Sequence, residues 1–505
     1  MLPVPQPKSY PLIKHAYLLM GGRAVRSFMK LSRQFEGIFR LRVGPNVLTL
    51  VYDPEMVGEL CDETKYRKVV YSALFEVRAF AGDGLFTAHH GEENWGKAHR
   101  ILTPGFSAKS MKDYLPQMIE VAGEMVNKWR SVGDQPLMVA DEMTRLTLDT
   151  ISICGFDYRF HSFRKKELHP FLKAMGKALR EAGERISRPP FLNRLLLSDW
   201  RYQRSIRVMN QLVDQVIEER MKTTESGADA GRPPKNDFLS MMLNGTDRKT
   251  GTKLDPLNIR YQILTFLIAG HETTSGLLSF IMYELLKNPE IRERARIEAD
   301  EVLGGVAPNE IGLGHISRMK YIQQILNEGL RMYPTAPLFS VAPFEDQVLG
   351  GKYFIEKDRP LAIAIGPLHR STKYWGPNPD RFDPSHFDPE KESTRPAYAF
   401  RPFGNGQRSC IGRSFAMAEA SLALGMILLN FDFDFAEPYE LKIKETLTIK
   451  PDGFRIRVKP RPVLAKRPAF EHRNDRESNS KQIHLKTVSD LFGISSDSDS
   501  VSFIG

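Results

Sequence analysis

Cys410 stands in the run Phe403-Gly404-Asn405-Gly406-Gln407-Arg408-Ser409-Cys410-Ile411-Gly412. A structural metal ion asks for several ligands from one neighbourhood. A single thiolate on a glycine-rich loop suits the axial position of a haem iron, where sulfur donation favours O–O cleavage. The glycines allow positive φ and a close approach to a flat macrocycle. Backbone N–H groups in such a loop can point at the sulfur and stabilise its thiolate. Phe403 would lie on the ligand side of the ring, and Arg408 could pair with a haem propionate. The stretch Ser414-Phe415-Ala416-Met417-Ala418-Glu419-Ala420 predicts a helix starting at the ligand, its N-terminus adding positive potential. The plain alternative is a structural cysteine beside a glycine turn.

A second constellation lies upstream. Phe266-Leu267-Ile268-Ala269-Gly270-His271-Glu272-Thr273-Thr274-Ser275-Gly276 is an apolar helix broken by a glycine and then by an acid–alcohol pair. Glycine inside a helix costs about 1 kcal/mol, so its presence marks a close approach by a ligand or a bulge. The alternative is a core helix whose threonine bonds back to a carbonyl. Glu328 and Arg331 fall on one helix face, three residues apart. Trp95 and His99 share a face in the same way, and Lys68 closes the basic run Lys65-Tyr66-Arg67-Lys68.

Together these motifs resemble the cytochrome P450 family. The resemblance implies a mainly α fold with a small β region, holding haem b between a long central helix and the cysteine loop. It makes Cys410 the iron ligand, and places Trp95, His99, Lys68 and Arg408 at the propionates. Gly270 would open a groove for dioxygen, the co-substrate; Thr273 would hydrogen-bond the reduced oxygen and Glu272 would relay protons to it. Glu328 and Arg331 would lock the segment before the cysteine, completed by His386 of Arg381-Phe382-Asp383-Pro384-Ser385-His386-Phe387, where many members have arginine.

The similarity extends over nearly all of residues 10 to 460 to the haem domain of bacterial self-sufficient fatty-acid hydroxylases. It runs through Phe80-Ala81-Gly82-Asp83-Gly84-Leu85-Phe86, Met143 to Thr150 and Ile443 to Thr448. By that likeness Phe86 would steer the substrate over the haem, and Leu74, Ala81, Ile268, Ala269, Ala336, Leu338 and Leu447 would form an apolar channel. Those enzymes hold a carboxylate with an arginine and a tyrosine at positions that are Asn46 and Leu50 here; Arg40 or Arg42 is the candidate replacement. A lipophilic substrate, a fatty acid or another acyl-chain compound, is expected. In the relatives a diflavin reductase follows in the same chain. The residues beyond about 460 are too few for one, so a separate ferredoxin, flavodoxin or diflavin reductase is the expected partner, with NAD(P)H supplying electrons indirectly.

The elements that position these groups are legible in outline. Residues 39–43 and 47–52 predict two strands around Gly44-Pro45-Asn46. Helical periodicity dominates from about 76 to 345, broken by a polar loop at 223–234; short strands and the cysteine loop follow. The catalytic domain is expected over 1–465, and 466–505 is a polar, serine-rich tail expected to be disordered. With 505 residues, 41% hydrophobic, the chain can bury a large core. Three widely spaced cysteines fit a reducing compartment without disulfides. The net charge of +10 comes with no basic–aromatic run, which argues against nucleic acid; Lys97, Arg401 and Arg413 could face an acidic redox partner. No stretch of ~20 apolar residues occurs at the N-terminus, so a cytoplasmic protein is expected, while the apolar, basic stretch 189–201 could touch a membrane surface. Three functions remain: an oxygen-inserting monooxygenase, favoured by Glu272-Thr273; a peroxide-using or rearranging haem-thiolate enzyme; and a non-enzymatic haem sensor.

Overall fold

In the computed structural model, which describes residues 1–10, 14–19, 23–43, 46–185, 188, 197–226 and 236–462, the run around Gly270 becomes one 32-residue helix, Pro256–Lys287. Asp255 caps its start by accepting from the Asn258 amide, and Pro256 fills the first position, where no N–H is needed. Its residues are buried on almost every side, as a helix through the middle of a large domain requires. It packs along Val139–Phe156, another helix buried over nearly its whole length. A Cβ on Gly270 would lie 2.6 Å from the Ile151 side chain, so the glycine is what lets these two helices close.

The helix predicted to begin at the ligand is Arg413–Asn430. It too is apolar all round, and packs against Ala108–Ser131, Pro289–Leu303 and Lys320–Met332. A five-stranded sheet stands beside the helices in the order Ile38–Val43, Asn46–Val51, Leu361–Ala364, Leu338–Pro343, Tyr66–Lys68. The first pair is the predicted hairpin, with Phe39 opposite Leu50 and Leu41 opposite Leu48. The helical stretch ends earlier than periodicity suggested: the last helix before the sheet stops at Met332, and Leu338 already begins a strand. A separate hairpin, Ile443–Glu445 with Ile449–Pro451, packs on the central helix.

The segment leading to the cysteine is bolted to the core by one guanidinium. Arg331 is fully buried and forms a two-armed pair with Glu328, Nε to Oε2 and Nη2 to Oε1 both at 2.7 Å. Its other N–H groups donate to the carbonyls of His369, Pro379 and Arg381. His386 Nδ1 lies 3.2 Å from Glu328 Oε1, so the third residue meets the acid. The predicted tail, 466–505, and residues 189–196 of the predicted membrane-touching stretch lie outside the described residues. Among those described, no helix is long and apolar enough to cross a membrane.

Candidate active site

Gly404 and Gly406 adopt φ of +81° and +58°, which admits glycine far more readily than other residues and bends the loop back on itself. The turn is closed by the Cys410 N–H, which donates to the Phe403 carbonyl at 2.8 Å. The Cys410 side chain opens onto an internal cavity of about 1320 Å³. Burial deep beneath the surface pushes its thiol up, against the Gly412 N–H and the Arg413 charge, which favour the thiolate. Phe403 lines the same cavity, with the Arg413 guanidinium 5.3 Å from its ring centre.

The four groups expected at the propionates come together on this wall. Trp95 and His99 stack at 4.9 Å, and the Arg408 guanidinium lies 3.8 Å over Trp95. Arg408 donates to the carbonyls of Ala88 and His89; Lys68 Nζ donates to the Phe86 carbonyl at 2.8 Å. Among the described residues no carboxylate pairs with either cation. Burial lowers Lys68 to about 7, helped by the neighbouring Arg408, and lowers Arg408 to about 10. Burial depresses His99 as well. Glu92 and Glu63 act on Arg408 only from a distance, so a wall carrying two desolvated cations with no paired carboxylate is short of negative charge. A flat macrocycle bearing two carboxylates and one open axial position fits both that deficit and the thiol opposite.

Across the cavity the central helix presents Ile268, Ala269, Gly270, Glu272 and Thr273. The Thr273 hydroxyl donates to the Ala269 carbonyl at 3.0 Å, the back-bond of the plain alternative, and keeps its lone pairs free to accept from a ligand. Glu272 is held more firmly. Lys450 Nζ lies 3.2 Å from Oε2, the Thr448 hydroxyl donates to Oε2 at 2.9 Å, and His271 Nε2 is 3.2 Å from Oε1. Burial alone would raise this acid; Lys450 first, then His271 and Thr448, bring it well below the usual carboxylate range. Lys450 and Thr448 were not singled out in the sequence, since nothing local ties a residue 176 positions away to the acid.

Leu74, Phe86, Ala336, Leu338 and Leu447 join Ile268 and Ala269 on the cavity wall. Ala81 does not. It lies two turns along the helix Ala73–Ala81 from Leu74, on nearly the same face, and that advance carries it off the wall into core packing, fully buried. The strand pair supplies no cation either. Leu50 is fully buried in the core beside the sheet, while Leu48, two residues earlier, lines the cavity. Arg40 and Arg42 stand on one strand face, contrary to any division between them, and neither reaches the wall; Arg40 Nε donates to Thr49 instead.

This architecture and thiol-bearing cavity define a haem-thiolate class, and the comparisons agree. The cytochrome P450 family model matches residues 4–458, and the chain belongs to that family. It is 45% identical over 465 residues to a bifunctional cytochrome P450/NADPH–P450 reductase of Bacillus cereus, covering 91% of this chain and 42% of the relative. A second such protein, from Bacillus subtilis, is 45% identical over 92% of the chain. A self-sufficient cytochrome P450 monooxygenase of Phanerodontia chrysosporium is 40% identical over 91%. The chain thus spans about two-fifths of the length of these relatives, 42% in the first case. The crystal structure of the cytochrome P450DA heme domain superposes with a TM-score of 0.84 at 45% identity, covering 91% of this chain and 98% of that one.

Proposed function

We propose that this chain inserts one oxygen atom from dioxygen into a C–H bond of an acyl-chain substrate. The observation that carries the reading is one cavity joining the Cys410 thiol, the Glu272–Thr273 pair and an apolar wall. Haem, when bound, supplies the iron at which dioxygen is reduced. Cys410 would ligate it, Lys68, Arg408, Trp95 and His99 would hold its carboxylates, and Phe403 would pack on its thiolate side. The reaction consumes two electrons and two protons: R–H, O₂, 2e⁻ and 2H⁺ give R–OH and H₂O. The two electrons are proposed to come from a separate ferredoxin, flavodoxin or diflavin reductase that takes them from NAD(P)H.

The protons must be delivered at the distal wall. Thr273 orients a proton donor by accepting its hydrogen bond, and Glu272 passes protons in from the Lys450–Thr448 side. Leu74, Phe86, Leu338 and Leu447 exclude water and lay the chain along the cavity. The experiment is spectroscopic and catalytic. Reduced protein with carbon monoxide should absorb at the position characteristic of thiolate ligation, and Cys410→Ser should abolish it. Absorption typical of histidine ligation in the native protein, or an unchanged spectrum in the variant, would remove Cys410 from the role. With a matched electron donor the product should carry oxygen from labelled dioxygen; label from added peroxide instead would favour the peroxide-using alternative.

A further inference from the structure

We infer that Arg180 recognises the carboxylate of a long-chain acid, a task the strand pair at Asn46 and Leu50 does not perform. The inference rests on the acyl-chain reading above. The helix Pro170–Arg185 contributes Leu179, Arg180, Gly183, Glu184 and Arg185 to the cavity wall. It is held in place by Ala178, Leu179 and Ala182, all buried against the helices Ala73–Ala81 and Ser198–Glu225. Arg180 is therefore carried by a fixed element, not by a loop.

The neighbouring arginines are already committed. Arg185 pairs with Glu181 at 3.1 Å, with Glu76 at 3.7 Å and with Asp199, and lies 4.5 Å over the Tyr202 ring. Arg188 pairs with Glu181 and Glu184. Arg180 has no ion pair or side-chain hydrogen bond among the described residues, although it is an exposed cation; the acid one turn on, Glu184, is engaged by Arg188. A guanidinium in that position offers a two-pronged fit to a carboxylate.

Gly183, one turn further on, makes the space. It shares the face of Arg180, lines the cavity, and a Cβ there would find nothing within 4 Å. A glycine weakens a helix interior, and here it leaves room beside the guanidinium for a head group. The other exposed cation on the wall, Lys444, favours the charged form of Asp141, so part of its field is spent within the protein.

The test is a spectral titration of the haem-loaded protein at pH 8 with hexadecanoic acid and hexadecan-1-ol. The native protein should bind the acid more tightly than the alcohol. Arg180→Gln should weaken the acid about tenfold or more and leave the alcohol within about twofold, and Arg180→Lys should restore part of the loss. Gly183→Leu, which fills open space without disturbing the core, should cut acid binding while the fold stays intact by circular dichroism. Equal acid binding in native protein and Arg180→Gln, equal loss of both ligands, or a loss that follows Lys444→Gln instead would each overturn the assignment. Tight alcohol binding with no acid binding would refute Arg180 alone, whereas failure of both ligands would refute the acyl-chain reading itself.

Discussion

Lys68 is the residue whose chemistry responds most directly to pH. Its ammonium, brought down to about 7 by burial, is paired with no carboxylate among the described residues. A bound carboxylate favours the charged form, so haem binding takes up a proton wherever the free site is neutral. Affinity should be at its plateau below pH ~7 and fall as pH rises through that value, approaching tenfold per unit at most. Haem titrations of the apo-protein between pH 6 and 9 would show this slope, and Lys68→Gln should bind more weakly with the slope reduced. At the distal wall, Thr273→Ala should release peroxide and lower product formed per electron pair consumed. Glu272→Gln should slow product formation on the order of 10²-fold. Coupling unchanged in Thr273→Ala would take the hydroxyl out of proton delivery. Cys410, Glu272 and Thr273 were legible because each stands in a local run whose composition is costly without a ligand. Lys450 was not: it reaches Glu272 only through the fold.

At the scale of elements, the braced segment before the cysteine rests on one buried cation, Arg331, and the hairpin beside the acid on one half-buried cation, Lys450. Removing one partner of a buried pair strands the other charge, which costs about 3–5 kcal/mol. Arg331→Ala should therefore lower denaturation stability by that order and empty the haem site, since three backbone carbonyls lose their donor as well. Stability within experimental error of the native protein would deny the brace its role. Lys450→Met removes the largest influence opposing burial at Glu272 and leaves only His271 and Thr448, so its acid should titrate at higher pH. The acidic limb of the pH–rate profile should then move upward by a unit or more. Helix periodicity made the long elements readable, and alternation gave the first strand pair. What stayed hidden was pairing between distant segments. The strand Leu361–Ala364 inserts beside Asn46–Val51 in parallel, and nothing in either strand names its neighbour. Ala81 failed for a related reason: sharing a face with Leu74 does not say where along the helix the cavity ends.

For the whole molecule, the cavity of about 1320 Å³ must hold both a macrocycle and a substrate. If acyl chains bind along its apolar wall, each added methylene should tighten binding about fourfold until the space is filled, following ~0.8 kcal/mol per buried CH₂. A series of saturated acids and alcohols of rising length, followed by spectral shift, would find the break. A flat series would mean that the wall does not grip a chain.

The hairpin beside the central helix has three attachments. Lys450 and Thr448 grip the acid, Leu447 faces the cavity, and Glu445 accepts from the Val25 and Arg26 amides at the start of the helix Ala24–Leu31, whose Ala24, Val25 and Phe28 also line the cavity. Whoever exchanges this hairpin with a relative's to redesign selectivity will exchange the acid's counter-ion and the clamp on the helix Ala24–Leu31 along with it. Substrate range and wasted reductant are inherited here as one package, to be engineered together.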